Sequence, residues 1–379
     1  MNAISKAGMH ARTSDTTRLK ESAARAADLL MGYGWKTWFW GDSIGLEGLL
    51  DAAEWLRESE YEAFVYGMMK AWSSRRDPTR VFEYTASGLA LLRLYERTSD
   101  SALLRAARDH AEYLAAFRQT DRGAYVRFED PHFDLPPELP GSDAAGRSGL
   151  ETARGGPCVF VDNMHFDGPF FAKLYQLTGE SRFRDLAVSN ILSSIELLFD
   201  EQHHLFHHFW SERLKIPNGV FWGRGQGWAT LGVVHVLEYL PQDDPLWPAL
   251  LDILRKHSRA MAGAQDSSGH WHTVITDPDS YLESSIAAFM VDALSQGIRR
   301  GWLDESYRDV LVRAFAGLLE RVTQEGKLDG VSYETHPSFR PEHYRTMPRG
   351  AMVPWGQGPL LAAIRSYAEL LKTETEEQA

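Results

Sequence analysis

Gly168-Pro169-Phe170-Phe171-Ala172-Lys173-Leu174-Tyr175-Gln176-Leu177-Thr178-Gly179-Glu180 reads as one half of a helical hairpin. Gly-Pro opens a helix, apolar residues occupy nearly every side of three turns, and Thr-Gly-Glu closes it. A more amphipathic helix, Arg182 to Leu198, follows at once. The same pair recurs along the chain. Apolar segments with helical spacing start near Gly45 (GLEGLLDAAEWL), Gly88 (GLALLRLYERT), Gly227 (GWATLGVVHVLEYL), Ser284 (SSIAAFMVDALSQGI) and Gly358 (GPLLAAIRSYAELL). Their amphipathic partners are Tyr61 to Ser73, Ala102 to Phe117, Leu246 to Ala262 and Glu305 to Thr323, with Thr17 to Met31 ahead of the first. Three inner helices end alike, in LYERTSD, LYQLTGE and LEYLPQD, as repeats of one hairpin turn would. Six helices apolar all round and six with a polar face are both buried correctly by a closed double ring, so the fold class is all-α, an (α/α)6 barrel. Short strand signals fall near Gly123 to Phe128, Leu205 to Phe209 and His270 to Ile275.

The bulk numbers agree with one large domain. The chain has 379 residues with 44% hydrophobic content, enough for two ordinary domains or one barrel, and the repeat favours one, spanning 16–372. Residues 1–15 read as a disordered lead and 373–379 as a charged tail. A net charge of −12 argues against nucleic acid and anionic lipid as partners. One cysteine, Cys158, cannot form an internal disulfide, and no Cys/His spacing suits zinc. No apolar run has signal-peptide or membrane-span length. The expectation is a cytoplasmic monomer or weak homo-oligomer, without cofactor or metal.

Residues just before the inner helices share one rim of such a barrel, which gathers Asp42, Glu83, Asp162, Asp167, Trp222, Arg224, Asp277, Asp279, Glu283, His336 and Trp355. A Pro-, Gly- and acid-rich loop, Asp121 to Pro157, belongs to the same face, as a lid or an insertion. Two stretches there carry chemistry. Val159 to Phe171 sets Asp162, His165 and Asp167 among bulky apolar residues. Lost hydration raises a carboxyl pKa toward the range of a general acid, which makes Asp162 the chemical candidate. Asp167, before Gly168-Pro169, is the candidate cap or supporting carboxylate, and both aspartates as plain caps is the bland alternative. Trp222-Gly223-Arg224-Gly225-Gln226-Gly227-Trp228 offers a guanidinium fork for a carboxylate and indoles for a sugar face, or else a tight glycine turn with core tryptophans. His207-His208-Phe209-Trp210 adds imidazoles beside another indole.

Together VDNMHFDGPFFAKLYQLTG, HHFW, WGRGQGWATLGVVHVLEYLP, HWHTVITDPDSYLESSIAAFM and GIRRGWLD resemble the unsaturated glucuronyl and rhamnogalacturonyl hydrolases of glycoside hydrolase families 88 and 105, and are most similar to family 105. The resemblance runs from about Trp35 to Leu371 and implies the same (α/α)6 barrel. It implies removal of a 4,5-unsaturated uronic acid from the non-reducing end of small anionic oligosaccharides left by polysaccharide lyases. It puts the catalytic Asp on Asp162 and substrate contacts on His208, Trp222 and Arg224. Trp210, Trp228, Asp42 and Glu83 are further candidates for substrate binding. Acid action near neutral pH requires a pKa above the reference of about 3.9. The sequence departs from the family pattern at Val81-Phe82-Glu83-Tyr84, where an Asp-rich segment is usual, and at Phe209-Trp210-Ser211 in place of Gly-Trp-Asp. Other readings are an inverting glycosidase pairing Asp162 with Glu83 or Glu283, an epimerase using His208 and His272, and a non-catalytic sugar-binding scaffold.

Overall fold

The computed structural model describes residues 3–36, 39–74, 88–127, 157–335 and 337–377. Its helices are α1 Ala3–Met31, α2 Trp40–Leu56, α3 Ser59–Ser73, α4 Gly88–Thr98, α5 Ser101–Ala115, the single-turn α6 Asn163–Phe166, α7 Gly168–Thr178, α8 Ser181–Leu198, α9 Gly223–Tyr239, α10 Trp247–Gly263, α11 Ser284–Arg299, α12 Arg308–Glu320, the short α13 Pro341–Arg345 and α14 Pro354–Glu377. Helices α2, α4, α7, α9, α11 and α14 each pack on the next, and α14 returns to α2, which closes an inner ring. The outer helices α1, α3, α5, α8, α10 and α12 pack on that ring and alternate with it in sequence. This is the expected double ring in a single domain. Helix α11 is buried without a break from Ser284 to Ile298, whereas α5 and α10 bury only one face.

Two hairpin turns are the same object. Ser99 and Gly179 both take left-handed backbone angles, their N–H groups donate to Tyr95 O and Tyr175 O at 2.8 Å, and Thr98 and Thr178 hydroxyls donate back to Leu94 O and Leu174 O at 2.7 Å. The third, LEYLPQD, differs. Pro241 forces Leu240 into an extended conformation, φ −84° and ψ 146°, so the helix stops without the left-handed residue.

Several boundaries shift from the sequence reading. Helices α2, α9 and α14 begin at Trp40, Gly223 and Pro354, each four or five residues before the expected start. Glycine in those first turns looks like loop, yet it lets helices touch. A Cβ on Gly48 would lie 2.5 Å from Gly358 Cα, so α2 and α14 meet backbone to backbone. At the ends, α1 starts at Ala3 and α14 runs to Glu377.

Among the described residues, seven short strands lie in the connections: β1 Cys158–Phe160, β2 Phe199–Asp200, β3 Leu205–Phe206, β4 Phe209–Ser211, β5 Ile216–Pro217, β6 Trp271–His272 and β7 Leu282–Glu283. Strands β1, β4 and β5 form one antiparallel sheet, with Val159 opposite Trp210 and Phe160 opposite Phe209. Deeper in the ring, later turns of the inner helices line a cavity of about 490 Å³ with Glu47, Asp51, Arg93, His235, Asp292 and Arg365. Arg93 and Arg365 lie 2.5 and 3.3 Å from Asp51, while burial pushes the Glu47 carboxyl up to about 8. Among the described residues no helix is long and apolar enough to cross a membrane.

Candidate active site

The small sheet sets the register of the site. Val161 N–H donates to His208 O at 2.9 Å, so Asp162, two residues past β1, lies beside His208, the residue before β4. The chain then turns into α6. Asp162 and Asp167 occupy the N-terminal positions of α6 and α7, and neither side chain makes a capping hydrogen bond. The expectation of Asp167 as a cap is therefore corrected. Helix α6 runs straight into α7 through Asp167, whose own backbone is helical at φ −95° and ψ −55° instead of the extended form of a cap. The buried Asp167 carboxylate instead accepts from Arg127 Nη2 on both oxygens, at 3.0 and 2.9 Å. Arg127 also donates to Asn163 Oδ1 at 3.4 Å, and Asn163 donates to Tyr125 O at 3.1 Å. This network fastens the 119–127 segment beneath α6.

Asp162 keeps 13% of its side chain exposed, and its Oδ2 lies 4.0 Å from Nε2 of His208, which is 3% exposed. The imidazole packs against the indole of Trp222 with ring centres 4.3 Å apart. Its Nδ1 lies 2.6 Å from the Tyr344 hydroxyl. Burial, reinforced by the Arg224 charge, presses the His208 pKa down to about 3, so the ring is neutral at physiological pH.

Arg224 is placed otherwise than a substrate anchor requires. It is fully enclosed; Nη1 donates to Ser332 Oγ at 2.7 Å, Ser332 O at 3.2 Å and Glu283 Oε1 at 3.2 Å. Its Nη2 donates to Tyr333 O and Thr335 Oγ1 at 2.9 and 2.8 Å. The fork thus holds the 332–335 segment, with its central carbon 4.7 Å from the Trp222 ring. Glu283 is equally committed. Its Oε2 caps α11 through Ile286 N–H and accepts from Ser285 Oγ at 2.6 Å, and its Oε1 accepts from Ser332 N–H at 2.8 Å. A carboxylate so bound cannot activate water, which removes Glu283 from the two-carboxylate reading.

The tryptophans divide. Trp222 is 2% exposed, wedged between His208 and Arg224, and so fixes the imidazole instead of presenting an open face. Trp228 is fully buried in the barrel core against His165, Phe166 and Phe289, which corrects its assignment to substrate binding. It follows Trp222 by six residues, about 9 Å along a helix, which carries it below the rim. Trp210 lies in β4 with Lys215 Nζ 5.2 Å from its ring. Asp42 is buried and accepts the Lys36 N–H at 2.7 Å, folding the preceding loop onto α2. Nearby, Trp40 and Trp355 pack 4.7 Å apart, and Trp355 borders a cavity of about 340 Å³ shared with Tyr333, Glu334, Met347 and Pro348. Glu83, His336 and most of the Asp121 to Pro157 loop lie outside the described residues. The sequence reading missed Tyr344 and Asn218, both buried against His208 or its neighbours; no local pattern marks them.

The sequence profile of Glycosyl Hydrolase Family 88 matches residues 14–371, nearly the whole barrel. The chain belongs to that family. Family 88 membership makes it a glycoside hydrolase. Among curated relatives, the chain is 26% identical over 343 residues to the unsaturated rhamnogalacturonyl hydrolase YesR of Bacillus subtilis, covering 89% of this chain and 90% of that one. The fold is shared with a possible member of family 105 from Salmonella enterica, at a TM-score of 0.79, 22% identity and 94% coverage of both chains. It is also shared with the unsaturated glucuronyl hydrolase of Bacillus sp. GL1, at a TM-score of 0.68 and 18% identity, covering 90% of this chain and 94% of that one. The expected likeness to family 88 holds in the profile match, and the expected barrel holds in the shared fold.

Proposed function

We propose that this family 88 enzyme removes a 4,5-unsaturated uronic acid from the non-reducing end of lyase-generated oligosaccharides, with Asp162 as acid and then base. The observation that carries the reading is the contrast of Asp162 with Asp167 and Glu283. Asp167 and Glu283 are each locked to an arginine, while Asp162 is the partly exposed one beside a neutral imidazole. One carboxyl group suffices for hydrating an enol ether. Protonated Asp162 gives its proton to C4, and positive charge develops at C5 and the ring oxygen. The Asp162 carboxylate then takes a proton from the water that attacks C5. The product is a hemiketal; it opens, and the aglycone leaves without attack at the anomeric carbon.

Similarity to a rhamnogalacturonyl hydrolase supports a pectin-derived substrate, unsaturated galacturonyl-rhamnose first. Because the Arg224 fork is used within the protein, the uronate carboxylate is met by other groups on the rim. The test is a panel of unsaturated disaccharides followed by loss of their ultraviolet absorbance. Turnover of galacturonyl-rhamnose ahead of glucuronyl disaccharides supports the pectin assignment; cleavage of saturated glycosides alone overturns the reaction.

A further inference from the structure

Tyr344 sits at the centre of a small, fully buried hydrogen-bond network whose proton inventory can be counted. The Asn218 amide is oriented by its neighbours: Oδ1 accepts from the N–H groups of Phe209 and Val220, at 3.4 and 3.3 Å. Its Nδ2 therefore faces Ser338 O at 2.8 Å and the Tyr344 oxygen at 3.2 Å, and donates to both. The Ser338 N–H donates to the same phenolic oxygen at 3.2 Å. Two donors fill the two lone pairs of that oxygen. Its own proton has two possible acceptors, Ser338 O at 3.2 Å and His208 Nδ1 at 2.6 Å. Sending the proton to Ser338 O would require Nδ1 to carry a hydrogen and become a third donor to a filled oxygen. Sending it to Nδ1 satisfies every group.

We infer that Tyr344, oriented by Asn218 and the Ser338 amide, is a positioning residue that donates to Nδ1 of His208 and fixes its Nε2–H tautomer. The protonated nitrogen is then the one 4.0 Å from Asp162 Oδ2. In this arrangement His208 is a constant hydrogen-bond donor at the rim and never a base. The same network explains why α13, a five-residue helix in a long connection, packs a tyrosine into the sheet. The inference rests on the reading of Asp162 and His208 as the reacting site.

The test uses the full-length protein labelled with ¹⁵N-histidine. Long-range ¹⁵N–¹H correlation spectra distinguish the two tautomers, and the His208 signals are those missing from His208→Gln. The expected result near neutral pH is a bare Nδ1 and a protonated Nε2; an Nδ1–H pattern overturns the inference. Tyr344→Phe should lose that pattern and lower kcat on the unsaturated disaccharides about ten- to a hundredfold, with KM changed less than about threefold. A kcat within about twofold of the parent enzyme also overturns it. The tautomer spectrum needs no substrate and no variant beyond the assignment. A failure of the proposed reaction, seen as no turnover by the parent enzyme, is thus separate from a failure of this inference.

Discussion

Replacing Arg224 by methionine separates a substrate anchor from a structural strut. In the structure the guanidinium is the charge partner of Glu283, which is 1% exposed, and it ties down Ser332, Tyr333 and Thr335. Removing one member of a buried ion pair leaves the other charged and enclosed, at a cost of about 3–5 kcal/mol. A chain of 379 residues unfolds with an entropy of about 0.8 kcal/mol per kelvin, so Tm should fall by about 4–6 °C. The double variant Arg224→Met/Glu283→Gln removes both charges and should recover most of that loss. Differential scanning calorimetry reads both changes, and steady-state kinetics on the same samples reads KM. A Tm within about 1 °C of the parent, together with a KM raised tenfold or more, would refute the reasoning and return Arg224 to the substrate.

Other expectations follow from single contacts. Glu47 has its pKa raised from 4.5 to about 8 by burial, so between those values the folded protein holds a proton that the unfolded chain has released. The stability that this proton confers is complete below pH 4.5 and lost as pH rises toward 8, by about 1.4 kcal/mol per pH unit at most. Glu47→Gln should flatten the fall of Tm with pH in that window, and identical profiles would exclude the effect. Gly358→Ala would press a methyl group into the Ile44 carbonyl on α2 and should destabilise by about 1–3 kcal/mol, read by urea unfolding. Asp167→Asn leaves the buried Arg127 without its carboxylate and should cost about 3–5 kcal/mol; a loss under about 0.5 kcal/mol would show that Arg127 is satisfied elsewhere.

What the sequence makes legible here is what short-range physics encodes. Apolar periodicity and the repeated LYERTSD and LYQLTGE endings reveal the double ring, because hairpin turns are built from adjacent residues. Helix starts at Trp40, Gly223 and Pro354 are hidden because glycine marks both loops and close helix contacts, and only approaches such as Gly48–Gly358 and Gly227–Phe289 tell which. The Asp162 and His208 juxtaposition is reachable through motifs on either side of one small antiparallel pairing. Arg224 and Trp228 look like ligand contacts in the same glycine-rich heptapeptide, but their fates are set by Glu283, by residues 332–335 and by depth along α9. Tyr344 meets His208 across 136 positions, and no spacing rule spans that distance.

The most direct test of the central claim is the ultraviolet absorbance of an unsaturated galacturonyl-rhamnose disaccharide, followed with the parent enzyme and with Asp162→Asn. Loss of the conjugated C4=C5 signal with the parent, abolished in Asp162→Asn while that variant still binds the disaccharide, is the predicted result. Turnover persisting in Asp162→Asn at a rate near that of the parent would contradict it.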